Sequence, residues 1–442
     1  MKTEITDLKS LADQLLVFGN KSGGEEIQIN INDGSEFTVE VRNGKIERLL
    51  EAGSKSLSLK VNVLDRIATA STNDLSMESL QQLMLNAIKR AMVTSSDKYA
   101  RLPQKDLLYA EPESLKLFDS ALADVPPEKK IEIAKQVESI ALADKRINMS
   151  LGSSFSTYTG EIIVANTNSV MYSYKYTSCD TGVSLQTGSG DNLFEDGWYE
   201  SSINFKDLPS PEAIAKKAVE RSVRLIGARK IDSQNVPVIL EPEMTARLLG
   251  YLSQTVNGNA IYMNQSPMVD KIGQKVASNL VSVVDDGIMP GKLGSRPFDS
   301  EGVPCRQTPI IINGNLENYL LNEYAARKLS MHTTGNASGT TNFYMAKGKS
   351  KPEEIIKSVE KGLYLTKTIG QGFSQTTGDL STGAYGIWIE KGEFSYPVCE
   401  ITISGNLLKM LNDIVMVGND LKFNRATTGP TVKIAEMQIS GK

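Results

Sequence analysis

Histidine and cysteine are scarce in this 442-residue chain, which has one histidine, His332, and three cysteines, Cys179, Cys305 and Cys399. Histidine is the most frequent general acid or base, and zinc sites are built largely from histidine and cysteine. The cysteines are far apart and form no Cys-x-x-Cys pair, which argues against a zinc ribbon or a redox pair. A site made of His332, Cys399 and Glu400 is conceivable, but nothing in the spacing favours it. We therefore expect no metal site and interpret His332 as a loop residue.

Long apolar runs are also missing. No stretch approaches the roughly 18 apolar residues that span a bilayer, and the first residues, MKTEITD, lack the apolar segment of a signal peptide. The charges nearly balance, with 48 Lys and Arg against 52 Asp and Glu. Because nucleic-acid binding rests on clustered positive charge, neither nucleic acid nor membrane is an expected partner. Few cysteines in a large chain are typical of a reducing compartment, so we expect a cytoplasmic protein.

The first hundred residues combine helical and strand periodicity. A helix is predicted at the start from the apolar positions Ile5, Leu8, Leu11, Leu15 and Leu16. Alternating apolar residues then predict strands around 27–31, 37–41 and 57–63, with hairpin turns at Asp33-Gly34 and Asn43-Gly44. From residue 80 the spacing becomes helical again, through Ala91.

The same order of strands and helix returns between residues 145 and 223, where Ser210-Pro211 begins a helix. Repeated order at this spacing predicts a structural duplication. From about 236 the chain becomes rich in glycine and short strands, with short helices near 319–328, 352–359 and 406–412, which favours a curved sheet or barrel. The predicted fold class is α+β, with a duplicated α+β region over 1–96 and 127–227, and a curved or closed β-barrel with added helices over 236–442.

Three blocks in the last third resemble the TldD/PmbA family, whose PmbA-type members are also called TldE. The blocks are SRPFDSEGVP at 295–304, YAARKL at 324–329 leading to TGNASG at 334–339, and GDLS at 378–381 leading to GAYGIWIEKGE at 383–393. The motifs EITISGN at 400–406 and VMVGND at 415–420 follow. The resemblance covers most of residues 236–442, and it implies a duplicated α+β region followed by a closed or nearly closed barrel.

The resemblance also implies a function. TldD-type members are zinc metallopeptidases that act on extended or unfolded peptides, with His-Glu-x-x-x-His on a helix and a cysteine near the C-terminus. In this chain Gly250 and Tyr251 stand where His-Glu would be, Thr255 replaces the second histidine, and the segment 423–429 lacks the cysteine. These differences indicate a PmbA-type subunit with no catalytic or metal-binding residues of its own, inactive alone. Its expected partner is a TldD-type metallopeptidase subunit that carries the zinc.

Such a subunit would help to enclose extended peptide substrates. The candidate peptide-binding residues lie in three loops: Phe298, Asp299, Glu301, Gly302, Gly335, Asn336, Gly339, Asp379 and Ser381. Glycine and aspartate are also what ordinary turns need, so these loops have a purely structural interpretation as well.

Two alternatives stay open. The first is a stand-alone peptide-binding or regulatory homodimer, the class to which the older family label "modulator of DNA gyrase" belongs. The second is an independent hydrolase whose site is built on Asp299, Glu301, Asp379 or Glu400, since carboxylates can bind hard cations without histidine.

Overall fold

A computed structural model describes residues 7–103, 111–190 and 192–441. Within these ranges, the N-terminal half contains five α-helices and six strands: α1 (Leu8–Lys21), β1 (Glu26–Arg42), β2 (Lys45–Val63), β3 (Arg66–Thr72), α2 (Met77–Ala91), α3 (Ser120–Ala123), α4 (Pro127–Leu142), β4 (Ile147–Asn166), β5 (Val170–Ser189), β6 (Asn192–Ser202) and α5 (Pro211–Val223). Ile5, the first apolar position of the predicted N-terminal helix, lies outside the described residues.

The six strands form one antiparallel sheet in the order β3-β2-β1-β4-β5-β6. Each half of the sheet has the same chain order, helix–three strands–helix, and the halves meet where β1 pairs with β4. Alternate residues of each strand face the helices, so α1 and α2 cover one half and α4 and α5 the other. The repeated order predicted from the sequence is therefore present, and it builds a single sheet.

One of the two predicted hairpin turns is wrong. Asn43 and Gly44 have φ angles of 52° and 73° and join β1 to β2, as predicted. Asp33 and Gly34 instead lie inside β1, paired with β2 on one side and β4 on the other. A tight hairpin turn needs positive φ, and pairing on both sides keeps this segment extended. β1 is consequently one strand of 17 residues.

The C-terminal part contains the remaining five helices and eleven strands of the described residues: β7 (Gln234–Leu240), α6 (Pro242–Thr255), α7 (Gly258–Tyr262), β8 (Val283–Asp286), β9 (Gln307–Ile312), β10 (Asn315–Leu316), α8 (Glu323–Lys328), β11 (Asn342–Met345), α9 (Pro352–Lys357), β12 (Lys361–Ile369), β13 (Asp379–Glu390), β14 (Glu393–Asn406), α10 (Leu407–Asn412), β15 (Ile414–Val417), β16 (Thr427–Thr428) and β17 (Val432–Ser440). The helix predicted from 319 begins only at Glu323, because the Asn322 side chain caps it by accepting from the Ala325 N–H at 2.8 Å.

A closed barrel forms the centre of this part. The strands run β14-β13-β12-β7-β17, and β17 also pairs with β14, which closes the circle. A second sheet has the order β10-β9-β8-β11-β16. Helix α6 places Leu248, Leu249 and Leu252 in the apolar core that the barrel and this sheet share. The predicted α+β fold class with a C-terminal barrel is confirmed.

The loop before β9 docks the C-terminal part onto the free face of the N-terminal sheet. The Phe298 ring is 1% exposed, with its centroid 5.5 Å from that of Tyr172 and 5.2 Å from that of Tyr174. The Gln28 side chain donates to the Ser300 carbonyl at 2.6 Å. Edge and tilted aromatic contacts of this kind add to the burial of apolar area.

Phe298→Ala is expected to lower the free energy of unfolding by about 3–5 kcal/mol, because it leaves a cavity at a fully buried contact. Urea denaturation of the full chain measures it. Phe394→Ala is the matched control, since Phe394 is 49% exposed, and it should cost less than half as much. Equal losses for the two variants would contradict the docking role of Phe298.

Candidate functional site

Helix α6 is the element that the family resemblance aligns with a zinc-binding helix. Leu248, Leu249 and Leu252 point into the core, which leaves the face carrying Gly250 and Tyr251 toward solvent. A Cβ atom added to Gly250 would meet no other atom within 4 Å. Thr255 is fully buried, and its hydroxyl donates to the Leu252 carbonyl at 2.8 Å.

A small hollow of about 280 Å³ lies in front of this face. Its wall is an aromatic stack in which the rings of Tyr251 and Phe373 are 4.4 Å apart at 19°. Arg247 donates from Nε to the Tyr251 hydroxyl and from Nη2 to the Gly370 carbonyl, both at 2.8 Å. The lining therefore offers arginine, tyrosine, phenylalanine and amide groups, a set that does not fit zinc, which prefers imidazole, thiolate and carboxylate ligands.

Nor do the other potential ligands come together. Within the described ranges, no group of three or more His, Cys, Asp or Glu side chains could hold a metal ion. His332 is exposed, Cys399 is buried beside Phe194 and Leu225, and Glu400 forms an ion pair with Lys230 at 2.5 Å.

No helix in residues 7–103, 111–190 and 192–441 is both long and apolar enough to cross a membrane.

A buried cluster of charges fixes the start of α6 against the N-terminal half. Arg224 makes a two-pronged contact with Glu241, at 2.7 and 3.1 Å, and Arg221 reaches the same carboxylate at 3.1 Å. Asp196 of β6 and Glu243 lie within 3.5 Å of these arginines. Arg221 is 7% exposed and Glu241 is 3% exposed. Removing one partner from such a cluster leaves buried charge unneutralised.

This cluster was not predicted from the sequence. One signal was available: Arg221 follows Ile214 by seven positions and Ala218 by three on α5, so it falls on the apolar face of an amphipathic helix. A charged residue at such a position requires a buried partner. The identity of the partner, Glu241, could not be read from spacing.

Two larger hollows flank this cluster, with volumes of about 500 and 540 Å³. Both are lined by Trp198, Arg221 and Glu243, which separate them. Trp198 is 8% exposed and donates from its indole nitrogen to Glu200 at 2.8 Å. The guanidinium groups of Arg221 and Arg425 lie 5.2 and 5.5 Å from the centre of its ring, within cation–π range.

The structure brings two of the three predicted loops together. Asp299, 1% exposed, accepts from the backbone N–H groups of Glu301, Val303 and Ala337 at 2.8–3.0 Å. Asn336, next to Ala337, donates to Asp285 at 2.6 Å.

Two of the three predicted glycines in these loops, Gly302 and Gly335, occupy tight positions. Gly335 has positive φ, and a Cβ atom added to it would lie 2.6 Å from the Pro304 carbonyl oxygen. A Cβ atom added to Gly302 would lie 3.0 Å from the Val170 side chain of the N-terminal sheet. The Gly339 carbonyl, in an exposed stretch, accepts a hydrogen bond from Arg296. The side-chain contacts of Phe298, Asp299 and Asn336 are thus internal, and contact of these loops with peptide stays a prediction.

The third loop lies elsewhere, beside the hollow of α6. Asp379 and Ser381 are exposed. Asp379 accepts from the Asn406 side chain at 3.0 Å, and the Ser381 N–H donates to the carbonyl of Gly372, the neighbour of Phe373. The carboxylates of Asp379 and Glu400 do not join those of Asp299 and Glu301, so the four acidic residues do not form one site.

Three family models match the chain. They are described as PmbA/TldA metallopeptidase domain 1, central domain and C-terminal domain, and they match residues 28–91, 120–226 and 233–441. A protein of Escherichia coli O157:H7 named metalloprotease PmbA is 32% identical over 435 residues, 98% of this chain and 96% of that protein. The chain belongs to the PmbA/TldD family.

Solved structures of the family share the whole fold. A Bacteroides thetaiotaomicron protein provisionally named a modulator of DNA gyrase is 30% identical with a TM-score of 0.93, over 99% of this chain and all of that one. A Thermotoga maritima protein with the same provisional name is 27% identical, with a TM-score of 0.89 over 98% of this chain and 100% of that chain. TldE from Thermococcus kodakarensis, 21% identical, has the same fold with a TM-score of 0.86 over 98% of this chain and 100% of that chain. The predicted family membership is confirmed.

Glu241→Ala is expected to lower the free energy of unfolding by about 3–5 kcal/mol, because it leaves two buried arginines without their shared carboxylate. Glu220→Ala is the matched control on α5. Its ion pair with Lys217 is solvent-exposed, and exposed pairs contribute less than about 1 kcal/mol. Chemical denaturation of both variants decides the point, and a small loss for Glu241→Ala would show that the cluster is not essential to the fold.

The buried Glu301 carboxyl group predicts that the free energy of unfolding depends on pH. Burial, with a further contribution from the Asp299 carboxylate, raises its pKa from 4.5 to about 7. Since the folded pKa lies above the unfolded one, the stabilisation is complete below pH 4.5 and is lost as pH rises through about 7. Glu301→Gln should therefore be more stable than the natural chain by about 3.5 kcal/mol at pH 8, because the folded and unfolded pKa values differ by about 2.5 and each pKa unit corresponds to about 1.4 kcal/mol. At pH 4.5 the two should be nearly equal.

Urea denaturation at pH 4.5, 6 and 8 measures this difference. Glu353→Gln, at an exposed position, should parallel the natural chain at every pH. A Glu301→Gln variant that keeps a constant difference from the natural chain across this range would refute the assignment.

Proposed function

We propose that this chain is the zinc-free subunit of a TldD-type metallopeptidase assembly that processes extended peptides. The observation that carries the proposal is the solvent face of α6. There Gly250 and Tyr251 stand at the positions where the family resemblance places His-Glu, and the Tyr251–Phe373 stack walls the space in front of them. Gly250 has no side chain, and tyrosine is neither a usual zinc ligand nor a replacement for the glutamate that activates a zinc-bound water.

A TldD-type partner would supply that chemistry. Proteins named TldD homologues are among the relatives of this chain, one from Buchnera aphidicola being 28% identical over 387 residues, 80% of this chain and 77% of that protein. Partners with a common fold can associate through corresponding surfaces, much as two copies of one chain do. In the assembly, zinc held by the partner would activate water against the scissile amide.

This chain would contribute a surface for extended peptide. An extended segment can add to an open sheet edge through main-chain hydrogen bonds, which tolerate many side-chain sequences. Strand β6 is one of the two edge strands of the N-terminal sheet among the described residues, and it borders the hollow of about 540 Å³ beside Trp198. Asp379 and Ser381, exposed near Phe373, are proposed as further peptide contacts. The three free, buried cysteines suit the cytoplasmic location that we also propose.

A second candidate function is suggested by the relatives' own name, metalloprotease PmbA. It would require that this chain bind zinc and cleave peptide by itself. The lack of a ligand cluster in the described residues speaks against that assignment. An assembly in which a TldD-type partner supplies the zinc is compatible with the name metalloprotease for either subunit.

Metal content and peptidase activity of the purified chain test the proposal, alone and mixed with a TldD-type subunit. We expect less than about 0.1 zinc per chain and no cleavage alone, and a stable complex with activity after mixing. A partner whose His-Glu-x-x-x-His histidines are changed to alanine is the control, and its mixture should be inactive. The proposal would be overturned by a stable homodimer that does not associate with the TldD-type subunit. It would also be overturned if the chain alone bound about one zinc ion and cleaved peptide.

A further inference from the structure

The hollow of about 540 Å³ beside Trp198 has a strand edge on either wall. Within the described ranges, β6 has no strand beyond it in the sheet order. On the opposite wall, β12 pairs with β7 only over Leu363–Leu365. Its continuation through Thr366–Ile369 pairs with β13 on one side and, among the described residues, with no strand on the other. The hollow's volume of about 540 Å³ is within the usual range for small-ligand sites and suits a few residues of extended chain.

The charges of this hollow are unbalanced. Its acidic residues, Asp196 and Glu243, are already engaged by the arginines of the buried cluster. Three further cations line it, Arg247, Lys367 and Arg425, and none of them has a carboxylate within ion-pair distance in the described parts of the chain. Arg247 donates to Tyr251 and Gly370, Lys367 donates to the Glu195 carbonyl, and Arg425 lies over the Trp198 ring.

Arg221 adds a buried donor to the same wall. It is 7% exposed, lines the hollow, and has an Nε atom with no hydrogen-bond partner, although Asp196 lies 3.5 Å away. Because the charge of Arg221 is matched by Asp196, Glu241 and Glu243, the local excess of positive charge comes from Arg247, Lys367 and Arg425, in a chain whose net charge is −4. Since carboxylates are common partners of arginine, a carboxylate is the counter-charge that we expect this hollow to bind.

We infer that this hollow recognises a carboxylate of an extended peptide, with Arg247, Lys367 and Arg425 facing the carboxylate and the open strand edges facing the peptide backbone. The inference rests on the proposed peptide function and names the class of peptide. The carboxylate has two possible sources, an Asp or Glu side chain or the peptide's C-terminus. The strand edges favour a peptide over a compact anion, because they supply donors and acceptors at the spacing of a backbone.

Binding can be followed from within the hollow. The chain has two tryptophans, of which Trp198 lines the hollow and Trp388 is 1% exposed in the core shared with the barrel. The full chain would be titrated with four short Ser/Gly-based peptides. The first peptide has two Glu residues and blocked ends, and the second has Lys in place of Glu. The third and fourth have no charged side chains; the third has a free C-terminus and the fourth an amidated one. Tryptophan emission and calorimetry give two independent affinities.

We expect the acidic blocked peptide, the neutral peptide with a free C-terminus, or both to bind at least tenfold more tightly than the Lys peptide and the amidated neutral peptide. Binding of the first alone identifies a side-chain carboxylate, and binding of the neutral uncapped peptide alone identifies the C-terminus. The affinity should also fall with added salt, because the attraction is between partly exposed charges.

Arg425→Glu and Lys367→Glu should each weaken binding by about tenfold or more, given that a hydrogen bond to a charged group contributes a factor of this size. Lys89→Glu, the same charge change on the exposed face of α2, is the matched control and should leave the affinity unchanged. Thermal unfolding of all three variants would establish that they fold.

Equal binding of all four peptides, or affinities that Arg425→Glu and Lys367→Glu leave unchanged, would overturn carboxylate recognition while leaving peptide binding intact. Binding of none of the peptides would overturn this inference for the chain. The proposed function is judged separately, by zinc content and by complex formation with the TldD-type subunit, so the two failures are distinguishable.

Discussion

The buried charge cluster where α5, β6 and α6 meet holds the two parts of the chain in one arrangement. Arg221 and Arg224 come from the N-terminal half, and Glu241 comes from the link between the barrel strand β7 and helix α6. Taking such charges out of water is costly, and the cost is offset only when they are paired with good geometry. The pairing therefore specifies how the sheet meets the barrel, and with it the shape of both hollows beside Trp198.

Closure of the barrel is the second constraint. A barrel of five strands has an interior that side chains fill, so chemistry must be placed outside it. Helix α6 packs its leucines into the shared core and leaves one face to solvent. A rigid element of this kind holds its exposed side chains in fixed places. The fold does not by itself decide the chemistry of that face, since function depends on the residues grafted onto the scaffold.

The same local turn signal had different outcomes at two positions. Asn43-Gly44 forms a turn because both residues adopt positive φ at low cost, and the Glu138 carboxylate accepts hydrogen bonds from both of their backbone N–H groups. Asp33-Gly34 carries the same signal, yet it is extended, because strands on both sides take its hydrogen bonds. The helix predicted from 319 starts later for a similar reason: the backbone of Leu320 bonds to residues 256 and 258, far away in the chain, and Asn322 caps the helix that follows.

By itself, the sequence determined the α+β class and the repeated order of helices and strands in the N-terminal half. It also determined the glycine-rich pattern of short strands that favours a barrel, and the absence of histidine at positions 250 and 255. These depend on periodicity and residue identity, which are local. Only the tertiary structure decided that Asp299 is buried with Asn336 close by, that Asp379 lies apart from them, and that Arg221 meets Glu241. Such contacts join residues 20 or more positions apart, and they depend on how the elements pack, which no spacing along the chain encodes.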